Sequence, residues 1–236
     1  AEFNAAIDLN PTYPPAYLFR GAAFARLEDT TAALNSYDQA LSLDPTYGDV
    51  YLNRGILYYE LQNPERAFDD IDRAIAAEPN LATAYIYRGL LDSQQGNQQT
   101  ALEDLDEAVR LDPDNPSAYF HRGLIFRELG SLDAAIGDFT QAIELREDYP
   151  EACLNRGVTH YLMDSTDAAL GDFNRAVELD DTNLEAYYNR SFARLAQGRP
   201  RAALEDLNTV VSLDPGYADA YRIRGQVYIA SGNPAA

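Results

Sequence analysis

The fold is decided by residues 48–81, which read GDVYLNRGILYYELQNPERAFDDIDRAIAAEPNL. Three residues of this stretch, Tyr51, Arg54 and Gly55, return along the whole chain at an interval of 34 residues. The corresponding triplets are Tyr17, Arg20, Gly21; Tyr85, Arg88, Gly89; Tyr119, Arg122, Gly123; Cys153, Arg156, Gly157; Tyr187, Arg190, Ser191; and Tyr221, Arg224, Gly225. A repeat of this length is one supersecondary element that cannot bury its own apolar face. We therefore expect neighbouring repeats to stack.

Each repeat is predicted to be a pair of helices. Leu34, Tyr37 and Leu41 are spaced at i, i+3 and i+7, which places them on one face of a helix. Asp44 before Pro45 disfavours helical geometry and ends the second helix of its repeat. A short polar break separates the two halves of each repeat, so the order is helix, tight turn, helix, turn.

Positions are numbered from the start of each repeat, with Pro14 as position 1 of the first complete repeat. This numbering gives complete repeats at 14–47, 48–81, 82–115, 116–149, 150–183 and 184–217, within a single array over residues 1–236. Residues 1–13 read as the second helix of a partial repeat, and residues 218–236 read as the first helix of another. Glycine at position 8 and alanine at position 20 are expected to lie opposite each other, so that the two helices of a repeat approach closely.

The pattern resembles the tetratricopeptide repeat (TPR) family over nearly the whole chain. The residues that carry the resemblance in the first complete repeat are Tyr17, Gly21, Phe24, Ala33, Tyr37, Ala40 and Pro45, at positions 4, 8, 11, 20, 24, 27 and 32. Departures are Cys153 at position 4, then Asp92, His160 and Arg194 at position 11, and arginine at position 7 throughout. The resemblance implies an all-α fold, a right-handed α-solenoid (superhelix) of helix-turn-helix repeats.

The resemblance also implies a concave groove lined by positions 2, 5, 6, 9, 12 and 13 of the first helices. These positions include the apolar residues Leu52, Ile86 and Leu154, which are expected to face the groove with the others. The predicted peptide-binding residues are Asn53, Ile56, Tyr59, Tyr87, Leu90, Phe120, His121, Leu124, Arg127, Asn155, Val158, Tyr161, Tyr188, Asn189 and Phe192. Asparagine can bond both donors and acceptors of a peptide backbone, while the apolar side chains supply contact area. The apolar ones are equally consistent with packing between neighbouring first helices.

Arginine at position 7 recurs together with aspartate at position 23. The pairs are Arg54 with Asp70, Arg88 with Asp104, Arg122 with Asp138, Arg156 with Asp172, and Arg190 with Asp206; the first repeat has Ser36 instead. Because a guanidinium near a helix interface suits a bidentate carboxylate, we predict a ladder of charge-assisted hydrogen bonds between the two helices of each repeat. The alternative is that both side chains face solvent, where a pair contributes little.

The composition excludes several functions. All 18 basic residues are arginine, so a phosphate-binding or Schiff-base lysine is absent. The net charge of −20 argues against nucleic acid and favours a neutral to basic protein or peptide partner. Acidic residues at the groove edge, Asp49, Glu60, Glu128, Glu151 and Glu185, point the same way. Arg26 and Arg127 are too few for the family's clamp on a carboxyl-terminal carboxylate.

The sequence predicts no enzyme, no cofactor and no metal site. Cys153 and His160 are seven residues apart, roughly 10 Å along a helix, which is too far for direct contact. We interpret Cys153 as a small buried apolar residue. The clusters beginning at Asp112 and Asp180 lack the glycine and distal glutamate of a calcium loop, so we interpret them as solvated turns.

No apolar run of about 18 residues and no signal-peptide pattern occurs in this segment, which predicts a soluble protein without membrane insertion. A single cysteine leaves reducing and oxidising compartments open, and we favour the cytoplasm over a bacterial periplasm. The function predicted is a non-enzymatic scaffold that binds segments of partner proteins. Two alternatives stay open: an accessory region of a larger protein with a catalytic or membrane domain, and head-to-tail self-assembly through the partial repeats at the two ends.

Overall fold

The computed structural model describes residues 2–230, which form fourteen α-helices and no β-strand. The all-α prediction is confirmed, while the predictions for Ala1 and for residues 231–236 lie outside the described residues. The helices are α1 Glu2–Leu9, α2 Pro14–Arg26, α3 Thr30–Leu43, α4 Gly48–Glu60, α5 Pro64–Ala77, α6 Ala82–Gln94, α7 Gln98–Leu111, α8 Pro116–Glu128, α9 Leu132–Leu145, α10 Pro150–Leu162, α11 Thr166–Leu179, α12 Leu184–Ala196, α13 Pro200–Leu213 and α14 Ala218–Ala230.

The chain divides into two compact units, Ala1–Asp114 with α1 to α7 and Asn115–Ala236 with α8 to α14. Each of the six predicted complete repeats holds a first helix of 13 residues and a second helix of 14 residues. Within a unit, the two helices of a repeat pack together as a hairpin, and each second helix also packs against the first helix of the following repeat.

Local sequence sets the turn inside each hairpin. In the second complete repeat the Asn63 side chain caps α5 by accepting from the backbone N–H of Arg66 at 3.3 Å, and Pro64 occupies the first helical turn. The residue before the cap lies in the left-handed region, with φ of 54° at Gln62 and 83° at the equivalent Gly96. A left-handed residue ends a helix because it turns the chain while satisfying the last carbonyl groups.

The core of each repeat consists of small residues at positions 20 and 27 around a larger side chain at position 24. The residues at position 24 are Tyr37, Ile71, Leu105, Phe139, Phe173 and Leu207, each at most 1% exposed. Burying a side chain of this size stabilises the fold by about 1.5–3 kcal/mol. The core therefore recurs with the period of the sequence.

Glycine at position 8 makes room for that core. A Cβ atom on Gly55 would lie 2.8 Å from Ile71, and one on Gly157 would lie 2.8 Å from the ring of Phe173. The predicted approach to position 20 is seen at Gly89, where a Cβ atom would lie 3.1 Å from the carbonyl oxygen of Ala101. At Gly21, Gly55, Gly123 and Gly157 the nearest neighbour is nevertheless the side chain at position 24, a contact not predicted from the sequence.

The predicted arginine ladder is confirmed. Arg54 donates from Nε and Nη2 to the two carboxylate oxygens of Asp70, both at 2.7 Å, and Asp70 is only 2% exposed. The hydrogen bond to Asp70 raises the pKa of Arg54 against the effect of burial, so the guanidinium stays charged. Equivalent contacts join Arg88 to Asp104, Arg122 to Asp138, Arg156 to Asp172 and Arg190 to Asp206. In the first repeat Arg20 donates to the Ser36 hydroxyl at 3.1 Å.

The same arginines also reach the preceding repeat, which the sequence analysis missed. Arg54 donates from Nη1 to Asp38, a residue at position 25 of the repeat before it. Arg88 donates in the same way to Asp72, Arg156 to Thr140, Arg190 to Asn174 and Arg224 to Asn208. The guanidinium at position 7 therefore joins the two helices of its own hairpin by hydrogen bonds and also bonds to the second helix of the previous hairpin.

Departures from the family pattern at position 11 are accommodated by local polar contacts. Asp92 is 5% exposed and accepts from the side-chain amide of Asn97 at 3.1 Å. Arg194 lies 2.9 Å from Asp206, and the Nε2 atom of His160 lies 3.8 Å from the carboxylate at position 23 of its own repeat. Polar residues at this position thus extend the arginine ladder or bond to the following turn.

Candidate functional site

The predicted groove residues all lie on first helices, and we call the surface they form the first-helix face of each unit. In the amino-terminal unit it comprises Asn53, Ile56, Tyr59, Tyr87 and Leu90. In the carboxyl-terminal unit it comprises Phe120, His121, Leu124, Arg127, Asn155, Val158, Tyr161, Tyr188, Asn189 and Phe192. Tyr161 is exposed and every other member is half-buried. None of these side chains is lost in the core, so each retains surface for contact.

Three apolar residues at position 5 of the first helices are instead buried. Leu52 is 7% exposed, Ile86 is 4% exposed and Leu154 is 6% exposed. These side chains pack in the core, as Leu52 does beside Leu18 and Tyr51. The expectation that position 5 faces a groove is therefore wrong for these three residues, because the side chain points between neighbouring hairpins.

Three asparagines at position 6 share one orientation. The Nδ2 atoms of Asn53, Asn155 and Asn189 donate to the backbone carbonyl four residues earlier in the same helix, at 2.8, 2.7 and 2.8 Å. Because the amide nitrogen donates to this carbonyl, the amide oxygen is the group that can accept a further hydrogen bond. Among the described residues, no hydrogen bond uses the Oδ1 atom of Asn53 or of Asn189.

Position 12 of one repeat meets position 6 of the next, a relationship that sequence reasoning missed. Tyr59 and Tyr87 pack edge to face with ring centroids 5.4 Å apart. Arg127 donates from Nη1 to Oδ1 of Asn155 at 2.6 Å. The available signal is a spacing of 28 residues, which joins both pairs. These contacts divide the first-helix face into successive segments, which we call cells. Each cell lies between position 12 of one repeat and position 6 of the next, and the cells differ in the side chains that form them.

The aromatic members of the face are partly structural. Phe120 contacts Phe139 of the core and Tyr149, with centroid distances of 6.0 and 5.0 Å. Tyr188 packs against Phe192 at 5.0 Å and against Tyr217 at 5.2 Å. Since these rings support each other, they provide a rigid apolar surface and not freely movable side chains.

Two cationic or basic side chains on the carboxyl-terminal unit are affected by burial. Burial lowers the pKa of His121 to about 4, and its Nδ1 atom has no hydrogen-bond partner among the described residues. His121 is therefore neutral at pH 7. Burial also lowers the pKa of Arg127, which donates a hydrogen bond to the neutral amide of Asn155.

Each unit has a pocket beside its first-helix face. In the amino-terminal unit a pocket of about 270 Å³ lies between α2, α3 and α4, where Ala25 occupies position 12. In the carboxyl-terminal unit an apolar pocket of about 370 Å³ is lined by Phe192, Leu195, Ile223 and Val227.

The residues considered for catalysis do not form a reactive pair. Cys153 is 1% exposed, and burial raises the pKa of its thiol, which disfavours the thiolate. Asp180 accepts from the backbone and hydroxyl of Thr182 at 3.0 and 2.7 Å, so this acidic cluster closes a turn. Among residues 2–230, no helix has the length and apolar character needed to cross a membrane.

Family models match most of the chain. A model described as "Tetratricopeptide repeat" matches residues 86–150, 127–184 and 185–236, which together cover more than half of the sequence. The chain belongs to the tetratricopeptide repeat family. A second model with that description matches residues 48–81, and a "TPR repeat" model matches residues 21–62. No curated protein sequence matches the chain significantly.

Solved structures share the TPR fold. The chain is similar to one from the APC/C hetero-tetramer Cut9-Hcn1, with 17% identity and a TM-score of 0.83 over 95% of this chain and 45% of that one. PilF of Pseudomonas aeruginosa gives 17% identity and a TM-score of 0.82, over 90% of this chain and 97% of that one. YrrB, a TPR protein with an unusual peptide-binding site, gives 23% identity and a TM-score of 0.64, over 80% of this chain and 97% of that one.

These likenesses bear on fold alone, because every identity is below 25%. The chain spans less than half the length of the Cut9-Hcn1 chain that it matches. The alignment nevertheless confirms the all-α class and the relation to TPR solenoid proteins. Membership of the tetratricopeptide repeat family supports a general role in protein interaction.

Proposed function

We propose that the first-helix face of each unit binds extended segments or helices of partner proteins, and that the chain acts as a non-enzymatic scaffold. The observation that carries this proposal is the shared orientation of Asn53 and Asn189. Each amide is fixed by a carbonyl of its own helix and keeps an oxygen free beside the apolar side chains Ile56 and Phe192. A fixed acceptor next to apolar area suits a peptide, which offers backbone N–H groups and side chains together.

The expected partner is neutral to basic. The chain carries a net charge of −20, and the exposed residues Glu60, Glu128, Glu151 and Glu185 lie at positions 2 and 13, on the edge of the first-helix face. Complementary charge accelerates encounter and suppresses wrong partners. A nucleic acid partner is disfavoured by the same field, since its phosphates would be repelled.

Selection from a random peptide library displayed on phage tests this function. We expect enrichment of a common motif by the wild-type protein, and loss of that enrichment in a variant with Asn189→Ala and Tyr161→Ala. The matched control is Asp133→Asn, which changes an exposed residue on the second helix α9. Equal enrichment by the wild type and the groove variant would remove these residues from the site.

A role as the accessory TPR region of a larger protein is compatible with the same binding surface. It is supported by the length relationship with the Cut9-Hcn1 chain and with yeast Tom70, of which this chain covers 45% and 49%. In that case the first-helix face recruits the partner for a catalytic or membrane domain elsewhere. The complete open reading frame decides between the two, since it shows whether such a domain is encoded.

Head-to-tail self-assembly is a second candidate function, favoured by a specific feature of α14. Arg224 bonds Asn208 of the preceding repeat, but no carboxylate among the described residues contacts it. A Cβ atom on Gly225 would meet nothing within 4 Å, unlike one on the glycines at position 8 of complete repeats, such as Gly55 and Gly157. Helix α1 presents Glu2 and Phe3 at positions 23 and 24, which are the residues that complete such a repeat.

Light scattering over a range of concentrations tests the assembly. We expect the mass to rise with concentration, Glu2→Arg and Arg224→Glu each to reduce the rise, and the combination of both to restore it. A monomer mass that does not depend on concentration would exclude this contact. The peptide-binding proposal is unaffected by that result, because it uses other residues.

A further inference from the structure

One pocket of the amino-terminal unit, the one of about 270 Å³ between α2, α3 and α4, has an origin in the repeat sequence. It is bordered by Ala22 and Ala25 of α2, Tyr37 of α3, and Asn53, Ile56 and Glu60 of α4. In the following repeat, positions 9 and 12 hold Ile56 and Tyr59 in place of the two alanines. Tyr59 packs edge to face against Tyr87 of the following first helix. The pocket of about 270 Å³ therefore exists because two alanines stand where the next repeat has large side chains.

The pocket combines apolar walls with acceptors at its mouth. Ala22, Ala25 and Ile56 supply the walls, and the Tyr37 side chain, 1% exposed as a residue, supplies the floor. Asn53 is held by its bond to the carbonyl of Asp49, so its position is fixed. Glu60 is exposed and places a carboxylate on the rim. A side chain with an alkyl stem and a cationic end would place its stem against the apolar walls and its charge at the carboxylate on the rim.

The charge of Glu60 reaches the floor of the pocket. Burial, and secondly the negative charge of Glu60, raise the pKa of Tyr37 to about 12, so its phenol stays neutral. Burial disfavours any charge, whereas the negative charge of Glu60 disfavours a phenolate and favours a cation in the same space. The net charge of −20 acts in the same direction.

We propose that this pocket binds the side chain of a lysine in the partner segment, with its stem against Ala22 and Ala25 and its ammonium group at the Glu60 carboxylate. The inference rests on the proposed binding of peptides by the first-helix face. Lysine fits better than arginine because its compact ammonium follows a flexible four-carbon stem, whereas a planar guanidinium needs a bidentate partner. The pocket would thus read one position of the bound segment.

Arg26 is the opposing charge. It lies on the rim of the same pocket and is exposed. Because its cation repels a bound ammonium group, we expect Arg26→Gln to strengthen the binding of lysine. If Arg26 dominated the rim, the pocket would instead prefer an acidic side chain, and the same experiment detects that outcome.

The test is an NMR titration of the protein with three small probes: the N-acetyl, N-methylamide derivatives of lysine, norleucine and glutamate. We expect lysine to cause saturable shifts at the side-chain amide of Asn53, and norleucine, which has the stem without the charge, to bind about fivefold more weakly. Glu60→Gln should remove that difference. Ala25→Tyr, which installs the residue found at this position in the next repeat, should abolish binding of both probes.

Equal binding of lysine and norleucine, stronger binding of glutamate, or unchanged lysine binding in Ala25→Tyr would each overturn the proposal. Glu60→Gln alters an exposed side chain, so it keeps the test valid if Ala25→Tyr fails to fold. A failure of the lysine pocket can be distinguished from a failure of the proposed peptide-binding function. Peptides selected without a lysine preference leave the scaffold role intact, while saturable lysine binding without any selected peptide supports the pocket alone.

Discussion

Arg88 binds two aspartates in two different repeats. Its Nε and Nη2 atoms donate to Asp104 of its own repeat at 2.8 and 2.7 Å, and its Nη1 atom donates to Asp72 of the preceding repeat at 2.9 Å. The side chain of Asp104 is 7% exposed and that of Asp72 is 51% exposed. The Arg88 guanidinium therefore has one buried and one solvated partner. Removing each aspartate in turn compares the contribution of a buried ion pair to stability with that of an exposed one.

Removal of the buried partner should strongly destabilise the protein. Asp104→Ala leaves the Arg88 guanidinium without its bidentate acceptor at the interface between α6 and α7. We expect a loss of about 3 kcal/mol in the free energy of unfolding, since breaking a buried pair leaves a charge uncompensated. Urea unfolding followed by circular dichroism measures this loss.

Removal of the solvated partner should have little effect. Asp72→Ala deletes a carboxylate whose side chain is 51% exposed to solvent. We expect the free energy of unfolding to change by less than about 1 kcal/mol in the same measurement. Asp72→Ala is thus the matched control for Asp104→Ala, because both contact the same arginine. Similar losses in the two variants would contradict the assignment of the buried contact as the stabilising one.

Two glycines at the same repeat position should respond to alanine with opposite signs. Gly157→Ala places a Cβ atom 2.8 Å from the Phe173 ring, so we expect a destabilisation of about 1–3 kcal/mol. Gly225→Ala meets open space, and replacing a helical glycine there should stabilise α14 by up to about 1 kcal/mol. Thermal unfolding of both variants checks the signs. Two changes of the same sign would show that position 8 is not governed by the side chain at position 24.

His121 should make stability depend on pH. Burial lowers its pKa from the unfolded value of 6.5 to about 4, so the unfolded chain binds more protons between these values. Stability from the neutral imidazole is fully present above pH 6.5 and falls as the pH decreases toward 4. Relative to His121→Phe, which carries the residue found at position 6 of the first repeat, the wild type should lose about 2 kcal/mol between pH 7 and pH 5.

Measurement of the unfolding free energy of both proteins at pH 7, 6 and 5 tests this dependence. The comparison with His121→Phe removes the contribution of the many carboxylates, which both proteins share. Parallel curves for the two proteins would show that His121 does not contribute.

Much of the fold follows from the sequence because one set of constraints recurs in every repeat. Pro64 and Asn63 mark the start of α5 by local chemistry alone, without reference to the rest of the chain. The pairing of Arg54 with Asp70 was predictable because arginine and aspartate recur together at positions 7 and 23. Repetition supplies the information that an alignment of homologues would otherwise provide.

The hydrogen bonds between neighbouring repeats were harder to predict from the sequence. The second acceptor of each arginine varies among Asp38, Thr140 and Asn174, which share only a side-chain oxygen. The contact of Arg127 with Asn155 depends on how adjacent first helices pack, and its residue types do not recur. The burial of Leu52 was not predicted for the same reason. Whether an apolar side chain at position 5 is buried or exposed depends on where the neighbouring hairpin packs.

The most direct test of the scaffold role is photocrosslinking from the first-helix face. A benzophenone amino acid replaces Tyr59 in one variant and Tyr161 in another, and a control carries it at Asn35, an exposed residue of the second helix α3. After irradiation in an extract of the source organism, we predict the same discrete protein adducts from both first-helix positions and none of them from Asn35. Adducts of equal yield from all three positions, or none from Tyr59 and Tyr161, would contradict the proposal that this face binds partner proteins.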